Sequence, residues 1–248
     1  MTAPVFVAED GALAGAGPGS AVRIAGAEGR HAVTVRRLRV GEAVDVVDGA
    51  GTRASGEVAS VDGSSLEMLV RQVAVEPVPV VRVVAVVALI KGDRFDDALA
   101  MLTEAGVDEI VPWAAQRSIV QWRGDKALRA AQRTAAVVAE AGKQSRRARF
   151  PVVAVLASTA EVAERIAAAD AAYVLHESAT IPMLADSLPS RGDVVLVTGP
   201  EGGITDDELA AFATSGARVV RMGPTVQRAA TAAVTAAAVV LSATGRWD

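Results

Sequence analysis

The stretch Val194-Val195-Leu196-Val197-Thr198-Gly199-Pro200-Glu201-Gly202-Gly203-Ile204-Thr205-Asp206-Asp207-Glu208-Leu209 decides how this chain is read. Four successive apolar residues suit a strand covered on both faces. Thr205 with Glu208 three positions on is a capping box that opens a helix. Between strand and helix lies a turn in which Gly199, Gly202 and Gly203 carry no Cβ, so a ligand can approach the backbone, and Pro200 stiffens the loop. A plain strand-to-helix connector is the alternative reading of the same residues.

Charge narrows the ligand. Glu201, Asp206, Asp207 and Glu208 crowd the turn, whereas a phosphate cradle at a helix N-terminus relies on bare N–H groups and usually a lysine. The patterns G-x-x-x-x-G-K-[ST] and G-x-G-x-x-G are absent from this turn, which argues against a nucleoside triphosphate or a dinucleotide. A neutral or cationic adenosine derivative fits better.

Arg218-Val219-Val220-Arg221-Met222-Gly223-Pro224-Thr225-Val226-Gln227-Arg228 repeats the design, a short strand and a Gly-Pro turn, ahead of a small-residue helix from Ala229 to Ala243. A third apolar strand, 171–175, ends in His176-Glu177-Ser178. Parallel strands that end in such loops form a crevice at their carboxyl ends, where open α/β sheets bind ligands. The expected cofactor-binding residues are therefore Leu175, His176, Thr198, Gly199, Glu201, Gly202, Gly203, Met222, Gly223, Val226 and Gln227. A bulky residue at Gly202 is expected to block the ligand and leave the fold intact.

These residues resemble a known family. The GPEGG loop with its acidic helix start, followed by MGP-x-V-x-R before a small-residue helix, is similar to the SPOUT class of knotted methyltransferases, and more narrowly to the ribosomal small-subunit methyltransferase E family. Further matches run in order along nearly the whole chain: His31 with Arg36-Arg37-Leu38-Arg39 and Gly41, Lys91-Gly92-Asp93-Arg94, Thr103 to Val107 before Ile110-Val111-Pro112, Gln116-Arg117-Ser118, and Glu140 to Arg146 ahead of Pro151. The resemblance implies methylation of uridine N3 in 16S ribosomal RNA with S-adenosylmethionine. It also implies a trefoil-knotted α/β C-terminal domain, a PUA-like RNA-binding β-barrel at the N-terminus, and a homodimer. One departure stands out: the family usually has Leu-Arg-Thr-Glu-Thr-Ala where this chain has Gln227-Arg228-Ala229-Ala230-Thr231-Ala232, so the arginine is kept and the glutamate lost. A ribose 2′-O-methyltransferase of the same class is the enzymatic alternative; it typically uses an asparagine-containing early motif, and this chain has no asparagine. A cofactor-binding ribosome-assembly factor without catalysis is the other.

Composition bounds the chemistry. With 248 residues the chain is long enough for two modest domains with a sizeable core. The absence of cysteine excludes disulfides and thiolate chemistry, and only His31 and His176 are histidines, so no multi-histidine metal site is expected. No apolar run reaches membrane-span length, and the N-terminus lacks the pattern of a secretion signal. The profile is that of a cytosolic, metal-independent protein.

Short β-rich pieces separated by Gly and Asp turns fill residues 1–75, with one helical piece from about Glu28 through Leu38, and read as a small barrel. Pro77 and Pro79 mark the boundary, and 78–248 alternates strands and helices as a layered α/β domain does. Strands are expected at 80–90, 109–112 and 152–156, and helices at 94–105, 126–142 and 159–169.

A net charge of −4 gives no whole-chain attraction to RNA, so local clusters must supply it. Arg36, Arg37 and Arg39 form one, and Lys143, Arg146 and Arg147 with Arg149 form another; on the domain boundaries above they lie in different domains. The alternative is that both are ordinary solvated faces. Arg228 is the candidate catalytic residue, to orient uracil and stabilise the charge that develops on it; its alternative is a structural salt bridge. His176 is weighed as a base against a structural hydrogen-bonded histidine, and no general base is assigned.

Overall fold

The structure, a computed structural model, describes residues 2–183 and 187–248. The backbone forms two compact units, residues 1–78 with 139–150 and residues 79–138 with 151–248. The sequence reading cuts the chain once, at 75–78; the structure adds residues 139–150 to the first unit. Main-chain pairing is the cause: Gly51 N donates to Ala148 O at 3.0 Å and Phe150 N to Gly49 O at 2.8 Å. Arg149 also donates to Glu76 O at 2.7 Å.

In the first unit, strands β1 (Val5–Val7), β2 (Ala21–Ile24), β3 (Ala43–Val47), β4 (Thr52–Asp62) and β5 (Ser65–Val75) form a five-stranded sheet in the order β1-β3-β4-β5-β2. β1 runs parallel to β3, and the other ladders are antiparallel. Period-two alternation sends Val44, Val46, Val58, Leu66, Met68 and Val70 into one buried cluster with Phe6 and Ile24. Where one helix from Glu28 to Leu38 is expected, the chain forms a short helix α1 (Gly26–Arg30) and a π-helical turn, His31–Val35. It ends early because Arg37 turns left-handed, at φ 56°, and Leu38 N closes onto Ala32 O at 3.1 Å.

The second unit is built on a six-stranded parallel sheet. β6 (Val81–Ala88), β7 (Glu109–Trp113), β8 (Val152–Val153), β9 (Ala171–Leu175), β10 (Gly192–Thr198) and β11 (Arg218–Val220) lie in the order β11-β9-β10-β6-β7-β8. Helices α2 (Arg94–Ala105), α3 (Asp125–Gln144, of which residues 139–144 count with the first unit), α4 (Thr159–Ala168), α5 (Asp206–Thr214) and α6 (Ala229–Ala243) connect or follow them. β6 is buried on both faces, as a central parallel strand must be. Val84, Val86 and Ala88 join a core with Val162 of α4, Phe212 of α5 and the fully buried Trp113. The alternate residues Val83, Ala85 and Val87 point to the opposite face by the pleat. α6 packs on β6, β10 and α2, and α4 packs on α5. Both α4 and α5 begin in capping boxes, Ser158 with Glu161 and Thr205 with Glu208.

β8 is shorter than the 152–156 expected. Pro112 of β7 has no N–H to offer an outer neighbour, so the ladder stops at Ile110 against Val153, and only the Pro112 carbonyl is used, accepting from Ala157 N at 2.8 Å. The chain end is held by Arg246, whose Nη1 donates to Asp108 Oδ2 and to Val81 O, both at 2.8 Å. Asp108 is buried and also accepts from Val83 N at 2.8 Å. Trp247 Nε1 donates to Ala105 O at 2.9 Å. No helix among the described residues is long and apolar enough to cross a membrane.

Candidate active site

Three carboxyl ends of the parallel sheet lie level. Leu175 of β9 is in register with Thr198 of β10 on one side and with Val220 of β11 on the other, and His176 N donates to Val220 O at 3.0 Å. The loops 199–205 and 221–228 therefore start beside His176 at one edge. All the residues expected to hold the cofactor sit on these three ends or on the loops that leave them.

The glycines of the loop have mostly internal reasons. A Cβ on Gly199 would stand 2.5 Å from Ile204 Cγ1, and one on Gly202 would press on Arg117 Cβ and O at 3.1 and 3.2 Å. Gly203 has φ +77° and closes a tight turn with its N–H on Pro200 O at 2.9 Å. A larger side chain at Gly202 would need Arg117, whose Nη1 donates to Gly202 O at 3.2 Å, to give by a few tenths of an ångström. Gly223, at φ +122° with open space where its Cβ would be, is the position that leaves backbone accessible.

The acidity of the loop is also partly internal. Glu208 is buried and accepts from Thr205 N at 3.0 Å, Gln116 N at 2.8 Å and Thr159 Oγ1 at 3.2 Å, so its charge serves the helix start and the neighbouring strand ends. Glu201 faces Arg94 Nη1 at 3.6 Å. Asp206 and Asp207 are exposed. Gln116, Arg117 and Arg94 were legible only as family-like words in the sequence, because their partners lie about a hundred residues away.

Polar groups remain for a ligand. Gln227 Oε1 and Ser118 Oγ are buried with no hydrogen-bond partner among the described residues, an acceptor and a hydroxyl that a bound molecule can satisfy. Arg228, at the N-cap of α6, is exposed, and among the described residues its guanidinium has no ion-pair partner. His176 Nδ1 lies 2.8 Å from Ser178 Oγ and accepts from Ser178 N at 3.3 Å. That occupies the lone pair a base would use at this nitrogen. No group of three or more His, Cys, Asp or Glu that could hold a metal occurs among the described residues.

Both basic clusters belong to the first unit. Arg36, Arg37, Arg39 and Arg146 are exposed, and Arg147 is half-buried. Lys143 is a correction. It is buried, its Nζ bonds Glu28 Oε1 at 2.7 Å and also pairs with Glu140, so it is no solvent-facing phosphate ligand. Burial opposes its charge, but the hydrogen bonds to Glu140 and Glu28 outweigh it and hold the ammonium above the usual lysine pKa.

Residues 76–241 match the RNA methyltransferase domain family, and residues 24–69 match the RNA methyltransferase PUA domain. The fold and the level glycine loops thus define an RNA methyltransferase. The ribosomal RNA small subunit methyltransferase E of Mycobacterium bovis is 43% identical over 236 residues, covering 93% of this chain and 89% of the relative. That of Bacillus subtilis is 28% identical, covering 84% and 85%. The chain belongs to the ribosomal RNA small subunit methyltransferase E family. Among solved structures, the Neisseria gonorrhoeae member bound to S-adenosyl methionine has the same fold, with TM-score 0.84 and 23% identity over 97% of this chain and 98% of that one. A methyltransferase of Legionella pneumophila in complex with the same cofactor gives TM-score 0.86 at 23% identity, covering 98% of each.

Proposed function

We propose that the protein transfers the methyl group of S-adenosylmethionine to N3 of a uridine in 16S ribosomal RNA of the small subunit, in the cytoplasm. The observation that carries the reading is the level register of Leu175, Thr198 and Val220, from which three glycine- and histidine-bearing loops leave at one edge of the sheet, where such sheets bind ligands. In this reading the first unit is a PUA-like RNA-binding barrel and its exposed arginines meet phosphate. The segment after β10 crosses outside β9 to form β11 and returns as α6 on β6 and β10, a path that supports a trefoil knot around the loop between β9 and β10. A homodimer through α6 would cover that helix's remaining small apolar face.

The donor set fits the cofactor: Gln227 Oε1 offers an acceptor to an amino group, Gly223 leaves room at the backbone, and Glu201 adds a negative charge near a cationic ligand. The sulfonium supplies an activated methyl, so the chain's share is positioning and charge stabilisation. Uracil N3 must lose its proton, and the negative charge then spreads to O2 and O4. In this reading the Arg228 guanidinium, at the positive end of α6, stabilises that charge, and the proton leaves to solvent.

Small subunits from a strain lacking this methylation, incubated with the protein and labelled cofactor, should yield N3-methyluridine on nucleoside analysis. Arg228→Ala should lower kcat about 10²-fold with RNA affinity nearly unchanged. A label on ribose 2′-oxygen, or none at all, would overturn the assignment; wild-type turnover by Arg228→Ala would remove the arginine from catalysis.

A further inference from the structure

Apart from the cofactor loops, the second unit holds a cleft of about 490 Å³ walled by Leu89, Ile90 and Phe95, by Trp122, and by Lys126 and Arg129 from the first turns of α3. No residue of the stretches 198–203 or 222–228 lines it. Its volume is that of sites for a single small organic group, about 300–1,000 Å³. Phe95 is buried and meets Trp122 edge to face, centroids 5.4 Å apart and planes at 90°, which fixes the indole while leaving it half-buried at the wall. Arg133 also lines the cleft, but its charge is used: Nη2 bonds Asp93 at 2.9 Å and Nε bonds Asp96, tying α3 to the N-cap and first turn of α2. Lys126 and Arg129 are exposed, and among the described residues neither has a carboxylate partner.

An aromatic wall with two free cations at its rim is complementary to a base and its phosphate. In a chain of net charge −4, such local positive excess does not arise from composition. The cleft also adjoins the reaction site. Arg94, next to the cleft-lining loop, reaches Glu201 of the glycine loop at 3.6 Å. We propose that this cleft holds a nucleotide flanking the methylated uridine, its base against Trp122 and its phosphate at Lys126 and Arg129. The proposal rests on the RNA methyltransferase reading above.

The test uses the full-length protein and a fluorescent single-stranded uridine-rich RNA of about ten nucleotides, within the site sizes such surfaces take. Trp122→Leu should weaken binding about tenfold by removing the stacking face. Lys126→Gln with Arg129→Gln should weaken it similarly and reduce the salt slope by about 1.4, roughly 0.7 for each lost phosphate contact. Trp122→Leu should leave that slope alone, and all variants should keep wild-type cofactor affinity by calorimetry. Wild-type RNA affinity and slope in both variants would overturn the proposal. So would weakened binding that tracks a change from dimer to monomer, which would assign the cleft to a second copy of the chain. If the wild-type protein methylates small subunits while the variants bind RNA like wild type, only the cleft assignment fails; if the wild-type protein transfers no methyl, the methyltransferase reading fails and takes the cleft with it.

Discussion

Arg37 and Arg146 hold left-handed backbone, at φ 56° and 57°, where helical segments end. Glycine is favoured at such positions by about 1 kcal/mol, so each arginine is kept against a local cost. Both lie in the exposed basic clusters of the first unit. Replacing either by glycine should leave stability unchanged or raise it by up to about 1 kcal/mol in urea unfolding, while RNA affinity falls. A loss of stability would instead make the side chains structural. Lys143 behaves oppositely, because its pKa is raised above the ordinary lysine value of 10.5. A raised folded pKa gives stability that is complete below the unfolded value and is lost as pH rises through the folded one. Lys143→Met should therefore be less stable than wild type below pH 10.5, by about 2 kcal/mol, and the gap should narrow above it. Equal gaps on both sides of that pH would show that the ion pairs are not the cause. The sequence shows Lys143 only as one more cation in a basic run, because Glu28 stands 115 residues away. It shows the glycines of the loop plainly, but not that Ile204 leaves no room for a Cβ at Gly199 or that Arg117 crowds Gly202.

At the scale of elements, strong patterns were legible to the residue: α2, β9 and α6 stand where periodicity and apolar runs put them. The misses have local causes that pattern does not weigh. Pro112 ends β8 from the neighbouring strand, and the π-helical turn with Arg37 cuts short a helix that continues on paper. The clamp at the end of α6 was not legible, since Arg246 and Asp108 are 138 residues apart. Arg246→Ala leaves Asp108 buried with one backbone donor, and should cost about 3 kcal/mol. Thermal unfolding should drop by several degrees; a shift within error would mean that Trp247 and the packing of α6 suffice.

For the whole molecule, the layered parallel architecture followed from alternating strands and helices, but the strand order did not, because nothing local tells β10 to enter between β6 and β9. The half-buried Val234, Ala238 and Val239 of α6 lie off the stripe that packs on the sheet. A dimer mass by light scattering at micromolar concentration is expected; a monomer with an intact cofactor site would exclude the α6 interface. The insertion of β10 also has a history written into it. β6 finds this partner across 111 residues, from Arg82 to Asp193. During synthesis this strand, buried along nearly its whole length in the fold, therefore waits with one edge open until residues 192–198 have emerged. Closing so long a loop is slow, and an unpaired apolar edge invites other strands meanwhile. A protein whose relatives are named for modifying ribosomal RNA thus depends, for its own maturation, on how well the emerging chain is shielded while translation finishes.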